Sequence, residues 1–182
     1  LLNGKRQILR IAMPGDLLGF QSDLDAPSEV TIRSVSPMVL CAFPRARFVE
    51  HVHSHPSLMD SLNRMNAYYI GLCEAHLVGL GRKSARERVA NLLMELWSRA
   101  RQLGDMIGFD EQQGMEFPLS QEDMGDAIGI SAVHVNRTLR ELRDEKLIQL
   151  DARHLMILDE RALGAEGHFD PSVIDAREAF LT

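Results

Sequence analysis

Residues 120–146 read SQEDMGDAIGISAVHVNRTLRELRDEK, and this stretch decides the fold. Ser120 is a good N-cap, and Asp123 three residues on makes a weaker capping box, since Glu or Gln is the usual partner. The first helix is expected to run to about Ile128. Gly129 stands where that helix must stop and the chain must turn, which often needs positive φ. Ser131 can cap a second helix. In it Val135, Leu139 and Leu142 fall at i, i+4 and i+7, one buried stripe. The other face carries His134, Asn136, Arg137, Arg140 and Arg143. A short helix, a glycine turn and a helix with an apolar back and a basic front is the pattern of a DNA-reading helix-turn-helix. Such pairs also occur in all-α proteins that never touch DNA, so spacing alone leaves both readings open.

The next segment adds weight to the first. Residues 147–150 (LIQL) and 155–158 (LMIL) are short apolar runs that flank Asp151-Ala152-Arg153-His154. They predict a hairpin, which here would be a wing beside the helices.

Bulk properties bound the rest. At 182 residues there is room for one large domain or two small ones. No apolar run approaches a membrane span, so no membrane partner is expected. The opening, LLNGKRQILRIAMPGD, lacks the order of a signal peptide. It starts abruptly, as if inside a domain, so an upstream portion is expected to exist. Two cysteines, Cys41 and Cys73, are too few for a disulfide framework and lack metal-ligand spacing. They read as small buried apolar residues in a reduced, cytoplasmic protein. The net charge of −6 argues against a general nucleic-acid coat. It leaves room for a sequence-specific reader with one basic face.

Upstream, residues 1–44 are strand-like. Pro14-Gly15-Asp16 is a turn, 21–28 a polar loop, and 30–35 (VTIRSV) alternates as a half-buried strand does. Ser36-Pro37 breaks it, and 38–43 is a further strand. Short strands punctuated by Gly and Pro predict part of a β-roll or jelly-roll. A short helix follows over 44–52. The run His51-Val52-His53-Ser54-His55 has no further ligand nearby in sequence, so no metal site is assigned and the histidines read as a polar link.

A long helix starts near Pro56, a residue favoured at the first helical position. Leu58, Leu62, Met65, Tyr69, Leu72, His76 and Gly79 alternate in steps of four and three, a heptad seam. At about 1.5 Å per residue it spans roughly 35 Å. The seam is expected to pair with its copy in a second subunit. The alternative is that it lies on its own domain. Gly79 and Gly81 interrupt the pattern and mark a hinge. Ser84-Ala85-Arg86-Glu87 is a capping box that restarts a helix. Its apolar stripe is Val89, Leu92, Leu93, Leu96 and Trp97, and its arginines 86, 88, 99 and 101 read as solvated. Residues 102–116 form a Gly-rich acidic loop or small hairpin. Beyond 159 lies a tail with one weakly amphipathic stretch, 173–181.

The order of parts resembles the Crp/Fnr family of bacterial transcription regulators over nearly the whole chain. The segments that carry the resemblance are Pro14-Gly15-Asp16-Leu17-Leu18-Gly19, residues 81–90 (GRKSARERVA) and residues 119–148. The family implies an α+β fold with a partial β-roll/jelly-roll N-terminal domain, a long dimerisation helix and a C-terminal winged helix-turn-helix. The boundaries expected are 1–55 for a partial cyclic-nucleotide-binding-like sensor, 56–80 for the dimerisation helix, 81–163 for the DNA-binding domain and 164–182 for the tail. Cyclic-AMP-binding members follow the glycine turn with Gly-Glu-Leu and later place an Arg-Ser pair on the phosphate. Here the matching ligand positions are Gly19, Phe20 and Gln21, then Ser28 and Glu29, without the carboxylate or the cation. Cyclic AMP is therefore not expected, and the cofactor or signal is unknown.

In the recognition helix, many members have a Glu in the first turn where this chain has Val133. Arg137 matches the family's arginine and suits bidentate contact with guanine. Val133 could touch a thymine methyl, and His134 or Asn136 a phosphate or an adenine edge. Ser120 and Ser131 would hold phosphates at helix N-termini, with Arg140 beside them.

The resulting expectation is a cytoplasmic homodimer on palindromic double-stranded DNA, controlled by a signal in the β-roll. RNA polymerase is a further expected partner, through the loop near 104–114. The alternative is a ligand-binding regulatory module that does not bind DNA. No enzyme is expected: the chain offers no nucleophile–base pairing and no phosphate loop.

Overall fold

The structure, a computed structural model, describes residues 4–19, 27, 28, 30–151 and 153–175. In chain order the elements are α1 (Arg45–Ser54), α2 (Pro56–Arg82), α3 (Ala85–Leu103), a 3-10 turn (Gly104–Ile107), β1 (Met115–Glu116), α4 (Gln121–Ile128), α5 (Ala132–Asp144), β2 (Ile148–Asp151), β3 (His154–Ile157), α6 (Glu160–Glu166) and α7 (Ser172–Asp175).

The core belongs to the C-terminal half. The expected stripe of α3, from Val89 to Trp97, packs against Met124 and Ile128 of α4 and Val135, Leu139 and Leu142 of α5. Ile148, Leu155 and Ile157 of the sheet and Leu163 of α6 close it. Each such side chain contributes about 1.5–3 kcal/mol when fully buried. Trp97 meets Phe109 edge-on and donates from Nε1 to Glu160, which fastens α6 to α3. The wing is the hairpin expected, with Leu150 opposite Leu155 and Asp151 opposite His154. It gains a third strand, because β1 pairs with β3 in the order β1-β3-β2. That strand lies in the stretch read as a loop or small hairpin. Two residues of ladder are too short to register as a sequence pattern.

The N-terminal region departs from expectation in detail. Among the described residues of 4–44 there is a turn at Pro14-Gly15 but no strand. A strand is defined by its ladder, and the alternating run 30–35 finds no partner strand among the described residues. Val30, Ile32, Met38, Val39 and Phe43 are accordingly exposed. The α+β class and the winged helix-turn-helix stand, and the strand-like residues are consistent with part of a β-roll, although no ladder forms among the described residues of 4–44.

The long helix runs unbroken through Gly79 and Gly81 to Arg82, so the expected hinge moves. The chain turns at Lys83 and Ser84, both extended, and Ser84 with Glu87 forms the capping box that starts α3. Gly71, Gly79 and Gly81 each cost a helix interior up to about 1 kcal/mol in propensity, yet the helix continues and buries Leu72 and Gly79.

The heptad seam is also reassigned. Leu62 and Met65 pack with Val52 and Phe48 of α1 and with Leu17. Tyr68 and Leu72 pack with Val173 and Ile174 of α7. The seam is thus covered by its own chain, because a heptad fixes which residues share a face, not what covers them. The described start of the amphipathic tail, 173–175, is one of those covers. The remainder, 176–181, lies outside the described residues. Both cysteines, expected to be buried, are exposed.

Candidate nucleic-acid interface

Helix α4 begins at Ser120, whose Oγ accepts from Asp123 N at 3.0 Å and donates to the Asp123 carboxylate at 2.7 Å. Asp123 Oδ2 in turn accepts from Ser120 N, which completes the capping box. Burial pushes the Asp123 carboxyl upward, but the Ser120 bonds and the Arg33 and Arg6 charges hold it below its usual 3.8. Gly129 ends α4 at φ +70. Ser131 then caps α5, accepting from His134 N, with the His134 ring 3.0 Å from the same hydroxyl.

On α5 the sequence face divides as expected. Val135, Leu139 and Leu142 are buried, and Thr138 joins them. Val133 is 77% exposed, and Ser131, His134, Arg137 and Arg140 are open to solvent on the other side. Arg137 Nε lies 3.2 Å from Glu141, one turn on, an exposed pair of little strength. Asn136 is half-buried, and its Nδ2 donates to Gln121 Oε1 at 3.0 Å. Arg143 leans away from the row: it donates to the carbonyls of Leu139 and, in β2, Leu150.

Two contributors were not foreseen. Gln121 follows the cap of α4, and its one sequence signal is that position. Arg153, in the wing connection, has φ +79 and donates to the carbonyls of Pro118 and Val35. With Ser120, Gln121, Leu139, Arg143 and Leu150 it lines a groove of about 320 Å³ between α4 and the wing.

The open face is braced from behind. The arginines of α3 read as solvated are mostly not. Arg86 pairs with Glu145 at the end of α5 and with Glu166 of α6, and those hydrogen bonds raise its pKa. Arg88 donates to the carbonyls of Leu80, Lys83 and Ile128, a cation at the C-terminal ends of both α2 and α4. Arg99 is fully buried. Spacing gives no sign of this, because a cation and its acceptors from distant segments meet only in the fold. Arg101 alone keeps a largely open position, paired with Glu111 and Glu160.

Of the ligand positions carried over by resemblance, Gly19 and Ser28 are exposed, and Ser28 Oγ donates to the Val30 carbonyl. Phe20, Gln21 and Glu29 lie outside the described residues. Among the described residues no three His, Cys, Asp or Glu side chains are grouped to hold a metal. Among the described residues no helix is long and apolar enough to cross a membrane.

Two helices at a tight glycine turn, with a three-stranded wing and an exposed basic row, define a winged helix-turn-helix. Residues 87–166 match the family model described as a Crp-like helix-turn-helix domain. The transcriptional activatory protein AadR of Rhodopseudomonas palustris is 28% identical over 91% of this chain and 66% of its own. The nitrogen fixation regulation protein FixK of Bradyrhizobium diazoefficiens is 30% identical over 87% and 64%. The chain thus spans less than two thirds of the length of these relatives. Among solved structures, FixK2 from Bradyrhizobium japonicum superposes with a TM-score of 0.57 at 26% identity, over 66% of this chain and 57% of that one. A CooA mutant from Carboxydothermus hydrogenoformans gives 0.54 at 20% identity, over 67% and 54%, a likeness of fold. Together these matches support the Crp/Fnr family for this chain.

Proposed function

We propose that this chain is the DNA-reading part of a transcription regulator, not an enzyme, and that α5 enters the major groove of double-stranded DNA. The observation that carries this is the open row Val133, His134, Arg137 and Arg140 on a helix whose back is locked into the core. Relatives named as a transcriptional activatory protein and a nitrogen fixation regulator support it. In this reading Arg137 meets guanine O6 and N7 and Val133 a thymine methyl. Ser120, Ser131, His134, Asn136 and Arg140 set the phosphates and flanking contacts. The rival, a ligand-binding module with no DNA contact, leaves that face without a use.

The same proposal includes a homodimer, through a different face of α2 from the one the sequence favours. Met59, Asn63, Asn66, Ile70, Cys73, Leu77 and Leu80 also step by four and three, one residue later than the first seam. Ile70 is 59% and Leu77 68% exposed. A second copy of α2 is the partner such a stripe fits. Two reading helices would then meet half-sites about one helical turn apart. The N-terminal region would receive a signal other than cyclic AMP, at Gly19, Phe20, Gln21, Ser28 and Glu29, and the 104–114 loop would face RNA polymerase in a cytoplasmic setting.

The test is a gel shift against genomic fragments with salt titration, repeated for Arg137→Ala. The expected loss is on the order of 1–3 kcal/mol at the specific site. Equal affinity of the altered and unaltered chains for the selected fragment would remove Arg137 from the role given to it.

A further inference from the structure

Four charged side chains from three separate parts of the chain meet below the fork between α2 and α3. Arg99 of α3 is fully buried, and its Nη2 lies 2.9 Å from Asp16 of the Pro14-Gly15-Asp16 turn. Its Nη1 lies 3.1 Å from Glu95, one helical turn earlier. Glu95 Oε2 is 2.7 Å from Nε2 of His76, on α2. Side chains of Asp16 and Glu95 are 1% and 6% exposed. Arg99 Nε has no hydrogen-bond acceptor, and the two ion pairs are made through Nη1 and Nη2.

The turn itself is wedged into the fork. Asp16 accepts from Met13 N, and Leu17 N donates to the Tyr69 hydroxyl on α2. The Arg10 guanidinium sits 3.9 Å above the Tyr69 ring and also donates to the Leu17 carbonyl. The segment 10–17 therefore grips both helices: α2 through Tyr69, and α3 through Arg99.

Burying such groups is unfavourable unless each is paired, and removing one partner strands the rest. With His76 protonated, two cations face two anions. With His76 neutral, one negative charge is left over in a site that only the 21% exposed His76 side chain opens to water. Two more neighbours bear on that balance: the Lys83 cation opposes protonation of His76, and Tyr68 lies beside Arg99. Helix α7 faces α2 with Val173 and Ile174, its Asp175 being exposed, and α4 meets α2 where Gly129 touches Leu80. Lys83 at the end of α2 is turned to Asn91 and to the carbonyls of Gly167 and His168.

We propose that Asp16, Arg99, Glu95 and His76 form a proton-linked joint that couples the N-terminal turn to the angle between the long helix and the reading domain. Protonated His76 closes the fork, and its deprotonation loosens α2 from α3. The hydrogen bond to Glu95 raises the His76 pKa above 6.5, against burial, which lowers it. A raised pKa means that the closing contribution is complete below about pH 6.5 and is lost as pH rises through the higher, folded value. This inference does not depend on DNA binding.

Amide hydrogen exchange of the full chain at about pH 6 and about pH 8.5, corrected for intrinsic rates, tests it. Protection over 68–80 is expected to fall severalfold at the higher pH, while 148–157 in the wing stays constant. His76→Gln is expected to abolish that dependence. Asp16→Asn is expected to loosen 92–102 of α3 as well as the turn. Equal protection of 68–80 at both pH values in the unaltered chain would overturn the proposal. So would Asp16→Asn loosening the turn alone. Direct titration of the His76 ring by NMR needs no variant, and a pKa below 6.5 would also overturn it.

Discussion

Arg86, two residues into α3, and Glu145, at the C-terminal end of α5, form a two-pronged pair at 2.9 and 2.6 Å. The same guanidinium reaches Glu166 of α6, so one side chain ties the two ends of the reading domain to its base. Arg86→Ala is expected to lower the melting temperature by a few degrees and to raise exchange in the last turn of α5. The pair also sets a pH dependence. Arg86 holds the Glu145 carboxyl below its usual 4.5. A depressed carboxylate stabilises above its unfolded pKa and loses that contribution as pH falls through the folded value. Acid unfolding followed by circular dichroism should therefore show stability falling as pH drops below about 4.5 in the unaltered chain, and Arg86→Ala should flatten that part of the response.

What the sequence exposes and what it hides divide along physical lines. The caps at Ser120 and Ser131, the stop at Gly129 and the stripe Val135, Leu139 and Leu142 are local facts, and all appear where spacing puts them. The hairpin partners were within reach for the same reason. The covering of Leu62 and Leu72 was not, because Leu17 and α7 supply part of it from far along the chain and the fold-back of neighbouring α1 supplies the rest. Arg99 is the sharpest case. Nothing at positions i±4 reveals that a turn residue 83 positions away supplies one of its carboxylates. In the reading face, Arg137 was legible from its residue type, while the engagement of Asn136 by Gln121 needed the packing of α4 on α5.

Val133 sets a base-preference prediction. Its exposed methyls offer contact to a thymine methyl but no acceptor for the cytosine amino group. Val133→Glu supplies that acceptor. In a competition gel shift over operator variants, it should improve binding to sites with cytosine at the facing position and weaken binding to thymine sites. The discrimination expected is about 1–3 kcal/mol. An equal change on every variant would place Val133 away from the bases.

The two faces of α2 make opposite predictions. Ile70→Asp with Leu77→Asp should give a folded monomer by sedimentation, since both side chains are already in solvent. Leu62→Asp with Leu72→Asp should instead unfold the chain, since both are buried within it. Cys73 lies on the exposed stripe and is itself exposed. In a parallel pair of α2 helices it faces its copy, so mild oxidation should yield a covalent dimer in Cys41→Ser and none in Cys73→Ser. A covalent dimer that survives loss of Cys73 would point to another contact.

The angle between α4 and α5 rests on two glycines of different kinds. At Gly129, φ of +70 strains any side chain, but an added Cβ would meet only side-chain ends, Leu80 at 2.9 Å and Arg88 at 3.7 Å. Gly129→Ala should therefore lose about 1–2 kcal/mol, the ordinary left-handed penalty, and Gly129→Asn less. Gly125 is helical and unstrained, yet its Cβ would stand 2.4 Å from the Ile130 carbonyl oxygen. Backbone cannot step aside as Leu80 can, so α4 would have to back away from the turn that leads into α5. Gly125→Ala should lose roughly 3 kcal/mol, the upper part of the overpacking range. Urea midpoints at unchanged slope would rank the two. A smaller loss at Gly125 than at Gly129 would mean that the close approach of helix and turn is not what fixes the reading helix.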